Sequence, residues 1–323
     1  MIPGGIVRSA LRTHDSFPDA ADGARPPTES TLLMNASLST FKLVAAALAS
    51  ASLLTLSACG NSEPTTSMPG MNMTTTMPGA HDMATGDGLS DTEYGLTFKP
   101  GDVVLTSGKP QTWTFQVIGP DGKPVTRFTP EQTKLMHFYA VRDDLTGYQH
   151  LHPTRAADGT WTVDLASLDP GNHRFYIQFT ADGTDGRPVT PILSVPVTVP
   201  GDYVHAPLPA ASPSTVADGY TVTLDTGSGM MAGHGMPLTV TITKDGQPVS
   251  NLQPYLESYA HLTAIHERDL AIAHLHPENP VTGNSGGPEL DFAANFPKAG
   301  NWRLFIQFQV DGVLHTAAIT MTV

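Results

Sequence analysis

The chain has 323 residues, with 17 Lys+Arg against 30 Asp+Glu and a formal charge of −13. Charged residues are 15 % of the total, against about a quarter in an ordinary soluble domain. The surface therefore relies on Ser, Thr, Gly and amides, a style common in secreted β proteins. The acidic balance argues against a nucleic-acid partner, which needs clustered Lys and Arg, and it favours attracting cations. A single cysteine excludes intrachain disulfides and cysteine-based zinc sites.

Residues 43–56 (LVAAALASASLLTL) form an apolar run as long as a signal-peptide core and too short to span a bilayer. The run follows Lys42 and ends in Leu56-Ser57-Ala58-Cys59. That tetrapeptide resembles a bacterial lipobox, in which the cysteine is lipidated and becomes the first mature residue. Residues 1–58 are read as a signal region, with Met34 the better candidate for the start. Cys59 is then an anchor on the extracytoplasmic face of the cell membrane. Residues 59–93 read as a flexible linker rich in Ser, Thr, Gly and Pro. The linker carries Met68, Met71, Met73, Met77 and Met83 with His81, five of the chain's 12 Met in a segment with no core to fill. Thioethers select Cu(I), and imidazole accepts copper in either oxidation state. The spacing resembles the methionine motifs of extracytoplasmic copper proteins; the bland alternative is a low-complexity linker with accidental Met.

The remainder is a tandem repeat. Asp121-Gly122-Lys123-Pro124-Val125 aligns with Asp245-Gly246-Gln247-Pro248-Val249 at an offset of 124, which also carries His150-Leu151-His152-Pro153 onto His274-Leu275-His276-Pro277. Farther on, Gly171–Phe179 matches Gly300–Phe308 at offset 129, the extra residues falling in the loop around 278–288. Two copies are expected over 94–200 and 218–323, joined by a stiff Pro/Ala/Ser-rich link at 201–217. Runs such as 112–118, 135–142, 161–165, 175–180 and 192–199 are short and rich in β-branched or aromatic residues, with Asp-Gly turns between strands. The fold class is therefore all-β: two tandem immunoglobulin-like (or cupredoxin-like) β-sandwich domains.

Each copy carries three histidines at spacings of 13 and 2: His137, His150 and His152, then His261, His274 and His276. Residues two apart on a strand share a face. A hairpin closing near 144–145 puts His137 opposite or diagonal to His152, so three imidazoles converge; a one-residue slip would remove His137 from the site. Three neutral imidazoles suit copper or zinc. The structural alternative is a turn in which the rings bind loop carbonyls. Met230, Met231, His234 and Met236 (GMMAGHGMP) form a second soft-donor segment, as auxiliary ligands or as packing at a sandwich end. Met136 is not shared, since Ala260 replaces it in the second copy. His173, His205, His266 and His315 are read as surface or structural.

The segment Pro254–Leu262, with Asp269-Leu270 and His274-Leu275-His276-Pro277, resembles a family of actinobacterial secreted or lipoprotein β domains. Met136-His137-Phe138 with Asp143-Asp144-Leu145 resembles a sibling form, similar in general character to YtkA-like, copper-associated envelope domains. The resemblance implies a metal-associated envelope protein whose partners are the membrane, through the lipid, and a copper exporter or other envelope metalloprotein. No nucleophile elbow, phosphate loop or paired carboxylates point to an enzyme. The function read from the sequence is copper sequestration or delivery; the alternative is a non-catalytic envelope scaffold or adhesion protein with structural histidines.

Overall fold

A computed structural model describes residues 86–323, so the signal region, Cys59, Met68, Met71, Met73, Met77, His81 and Met83 lie outside the described residues. The described part belongs to one compact unit and is all-β, with no helix.

In the first copy one sheet takes the order Thr92–Glu93, Leu96–Pro100, Gln111–Ile118, Thr160–Leu165, Thr154–Arg155. The facing sheet takes the order Ile192–Val199, Gly171–Gln178, His137–Arg142, Gln149–Leu151. Alternate residues of Gln111–Ile118 are buried, as expected for a strand with one wet face. Between the sheets Trp113, Phe115, Phe138 and Phe175 pack with ring centroids 5.1–6.1 Å apart, contacts worth about 0.5–1.5 kcal/mol each beyond area burial. This apolar interior does the work that disulfides do in smaller secreted domains.

The second copy repeats the plan. Ser214–Ala217, Tyr220–Asp225 and Gly235–Lys244 form one sheet, with Gln247–Pro248 and Glu289–Asn295 also paired to Gly235–Lys244. The other sheet runs Ile272–Leu275, Ala260–His266, Asn301–Val310, Val313–Thr322. Residues 214–217, read from the sequence as the end of the linker, are thus a strand of the second domain. The rest of the link is docked as well: Tyr203 donates to Asp143 Oδ1 at 2.5 Å, and the Ala206 amide donates to Asp144 Oδ2 at 3.0 Å.

The central strands of the two histidine-bearing sheets are buried without alternation, His137–Val141 and Ala260–His266 throughout. Continuous burial means that both faces are covered. The inner face packs on the domain's own core, and the outer face packs on the other domain. A separate apolar cluster draws Tyr139, Val141, Leu145, Tyr176 and Ile192 from the first copy and Ile265, Ile272 and Phe305 from the second. Within it Tyr148 lies flat on Phe305, centroids 4.0 Å apart at 4°. The two hairpins beside this contact each hold a leucine in the left-handed region, Leu145 (φ 63°) and Leu270 (φ 62°). That conformation is costly for a branched residue, and both side chains are kept there by packing into the joint.

Candidate metal centre

The histidine geometry follows from strand register. Tyr139 pairs with His150 and Phe138 with Leu151, which puts His137 level with His152 just beyond the ladder. Phe138 and Leu151 point to the core of their own domain, so His137, Tyr139, His150 and His152 share the outer face. In the second copy Leu262 pairs with Leu275 and Thr263 with His274, which sets His261 level with His276 by the same rule. The one-residue shift of Asp-Leu in the second hairpin is absorbed in the loop and leaves the histidine register intact.

Within each triad one nitrogen from every ring lies within 4.8 Å of the others. His137 Nδ1 is 3.1 Å from His150 Nε2, and His274 Nε2 is 3.2 Å from His276 Nε2. Tetrahedral coordination at the usual metal–imidazole bond length needs nitrogens about 3.3 Å apart. The opposite nitrogen of three rings faces an oxygen that only accepts: His137 Nε2 donates to the Glu131 carbonyl at 3.3 Å and His261 Nε2 to the Tyr255 carbonyl at 2.8 Å. His150 Nδ1 donates to Gln307 Oε1 at 2.7 Å, and His274 Nδ1 lies 2.9 Å from Gln178 Oε1 and 2.8 Å from the Tyr139 hydroxyl. Each such bond fixes the proton on the outward nitrogen and leaves a lone pair on the inward one. His261 Nδ1 and His152 Nε2 are buried with no hydrogen-bond partner.

These rings are held neutral. Burial, then charge repulsion from His152, pushes His137 down to about 3, and burial brings His261 to about 4. Burial followed by repulsion from Lys134 takes His152 to about 4. Burial, reinforced by neighbouring histidines, holds His150 and His274 well below the ordinary imidazole value. With both outward nitrogens protonated, neutral His137 and His150 point two lone pairs at each other across 3.1 Å, a repulsive contact that a cation between them would reverse.

The two triads are not separate. His137 and His274 have ring centroids 5.6 Å apart, His150 and His274 5.7 Å, and His150 and His261 6.1 Å. Six imidazoles thus line one joint between the domains. Tyr139, fully buried, stacks on His150 at 4.6 Å and places its hydroxyl 2.8 Å from His274 Nδ1.

Other sequence candidates fall elsewhere. Met230 packs against the second core while Met231 is 55 % exposed, so the adjacent thioethers point apart. His234 Nδ1 donates to the Ala232 carbonyl at 3.0 Å, and Met236 pairs with Ala294 in a sheet. Met136 is in the first core. His266 and His315 bind Asp269 and Asp218 at 2.6 and 2.9 Å, and His173 binds the Asp169 carbonyl at 2.9 Å, all structural contacts; His205 is exposed beside Tyr203. The residues that sequence reasoning missed are Tyr139, Gln178 and Gln307. The two glutamines were findable: Ile177-Gln178-Phe179 and Ile306-Gln307-Phe308 keep a polar residue inside an apolar run in both copies.

The chain belongs to the family described as Domain of unknown function (DUF8832), whose profile matches residues 90–190 and 214–323, one match per domain. No curated protein matches. Among solved structures, a DUF4785 family protein from Legionella pneumophila is 11 % identical, with 71 % of this chain and 56 % of that chain covered and a TM-score of 0.24. The Escherichia coli adhesin FdeC is 16 % identical, with coverages of 72 % and 65 % and a TM-score of 0.23. A Ca2+-stabilized adhesin from an Antarctic bacterium is 13 % identical, with coverages of 70 % and 47 % and a TM-score of 0.22. The chain spans about half to two thirds of the length of these structures. At such scores the likeness bears no weight for function.

Proposed function

We propose that this member of a family of unknown function binds copper at the joint between its domains, outside the cell membrane, as a buffer or a donor to another envelope protein. One observation carries the reading: in the first triad the outward nitrogens of His137 and His150 both face carbonyl oxygens while their inward nitrogens lie 3.1 Å apart, the pairing that leaves two lone pairs turned to one point. His137, His150 and His152 would hold one ion, and His261, His274 and His276 a second. Among the described residues no carboxylate joins either group, so these ligands bring no negative charge to offset a buried dication. Burying an uncompensated charge is expensive, which favours monovalent Cu(I) over Zn(II). The methionine-rich segment ahead of the domains supports the same metal through its soft donors. The lipobox-like Leu56–Cys59 supports a lipid anchor and the extracytoplasmic address.

A second reading has its own support. His150–Gln307, His274–Gln178 and His274–Tyr139 are hydrogen bonds between the two domains, and they join the domains whether or not an ion is present. On that reading the protein is a non-catalytic envelope scaffold or adhesion module. Titration of the purified protein with Cu(I), Cu(II) and Zn(II), beside a variant with all six histidines changed to alanine, separates the two. Copper capture predicts tight binding of two ions that the variant loses. Equal binding by both proteins leaves the histidines as a joint only.

A further inference from the structure

The outer partners of the triads are exchanged between the domains. His150 belongs to the first triad, yet its Nδ1 proton is received by Gln307 of the second domain at 2.7 Å. His274 belongs to the second triad, and its Nδ1 faces Gln178 of the first domain at 2.9 Å. Gln178 sits opposite His137 on the neighbouring strand, and Gln307 sits opposite His261. Each glutamine thus lies beside the triad of its own domain while holding the central ring of the other. Gln307 is itself oriented, because its amide nitrogen donates to Thr316 Oγ1 at 3.2 Å and so turns Oε1 toward His150.

From this arrangement we propose that each triad is made competent by the opposite domain: Gln307 is a positioning residue for the His137–His150–His152 site, and Gln178 for the His261–His274–His276 site. The inference rests on the metal-binding reading above. The carbonyl holds the proton on Nδ1, which keeps the Nε2 lone pair turned inward as a ligand. A ring that loses this partner is free to take the other tautomer, with its proton where the ion would sit. Outer partners of metal-bound histidines typically matter by about 10–100-fold in affinity. The exchange also couples the sites, since an ion at either triad stiffens a bond that spans the joint. The two sites differ in their surroundings. Tyr139 adds a hydroxyl oxygen 2.8 Å from His274 Nδ1, whereas its counterpart Thr263 accepts from Tyr148 at 2.8 Å instead. The central ring of the second triad, His274, therefore has a hydroxyl beside its Nδ1 in addition to the glutamine.

The test uses the purified protein, Cu(I) as probe and a competing chromophoric chelator. His276→Ala, at a half-buried position, disables the second triad and leaves the first. In that background Gln307→Leu is expected to weaken the remaining site by about 10–100-fold, Gln307→Glu to restore it, and Gln178→Leu to leave it within about threefold. His152→Ala reverses the roles. Imidazole 15N shifts of the metal-free protein give an independent readout: His150 protonated on Nδ1 in the wild type, and a tautomer mixture in Gln307→Leu. Losses that follow each glutamine's own domain, or a Leu variant matching the wild type in affinity and tautomer, overturn the inference while leaving metal binding intact. Absence of Cu(I) binding by the wild type overturns the metal reading and this inference together.

Discussion

Acidification of the metal-free protein is the perturbation the histidine joint answers most steeply. His137, His152 and His261 are depressed from 6.5 to about 3, 4 and 4, chiefly by burial. In the unfolded chain the same rings take protons at their ordinary value, so unfolding binds protons wherever the pH lies between the two values. The stability held by neutral rings is complete above about pH 6.5 and is lost progressively as the pH falls toward 4. Moving from pH 7 to 5.5 removes about 1.2 kcal/mol for each fully buried ring. The three rings together remove about 3 kcal/mol, with half-buried His152 counted for less because water screens it. His150 and His274 are shifted in the same direction and add to the loss. A domain holds only about 5–15 kcal/mol in all. Urea unfolding of the metal-free protein, followed by tryptophan fluorescence at both pH values, should therefore show a midpoint that drops sharply at pH 5.5. A six-alanine variant should lose most of the pH dependence. A wild-type midpoint that stays flat or rises between pH 7 and 5.5 would refute the argument that these rings are buried neutral.

Saturating copper at about 100 times its dissociation constant should stabilise the fold by about 2.7 kcal/mol per independent site, seen as a rise in melting temperature that a chelator reverses; no shift would count against binding to the folded state. Phe305→Ala removes a buried ring stacked on Tyr148 across the joint and should cost about 3–5 kcal/mol. Calorimetry should then resolve two separate transitions where the wild type gives one. Asp144→Asn leaves Arg142 facing a neutral amide where Nε and Nη2 now meet carboxylate oxygens at 2.9 and 2.7 Å. Since the Asp144 side chain is fully buried, the loss in urea unfolding should be about 3 kcal/mol, and a loss under 1 kcal/mol would show the pair to be weak.

The within-copy part of the site was readable because strand geometry is periodic. Spacings of 13 and 2 between histidines, with a hairpin centred near 144–145, place three rings on one face under the rule that side chains alternate, and the ladder has that register. The meeting of the two copies left a fainter trace. A sheet with one wet face alternates apolar and polar residues, as Gln111–Ile118 does, whereas His137-Phe138-Tyr139-Ala140-Val141 and Ala260–His266 are closed on both faces. Their composition is consistent with that burial but names no partner surface. Packing of one sheet on another depends on shape and carries no sequence period, so the facing of the triads could not be read from spacing. Nor could the exchange of glutamines, although both copies keep the Gln inside the same Ile-Gln-Phe run. The link at 201–217 was expected to be stiff from its proline content; its last four residues are a strand, and its docking depends on single contacts such as Tyr203 with Asp143.

The most direct examination is anomalous diffraction at the copper edge from crystals of the copper-loaded protein. The expected map has two peaks in the joint, each within about 2.0–2.3 Å of the inward nitrogens of one triad: Nδ1 of His137 or His261 and Nε2 of the paired histidines. A joint without anomalous density, with the six rings bonded only to one another and to Gln178, Gln307 and Tyr139, would contradict it.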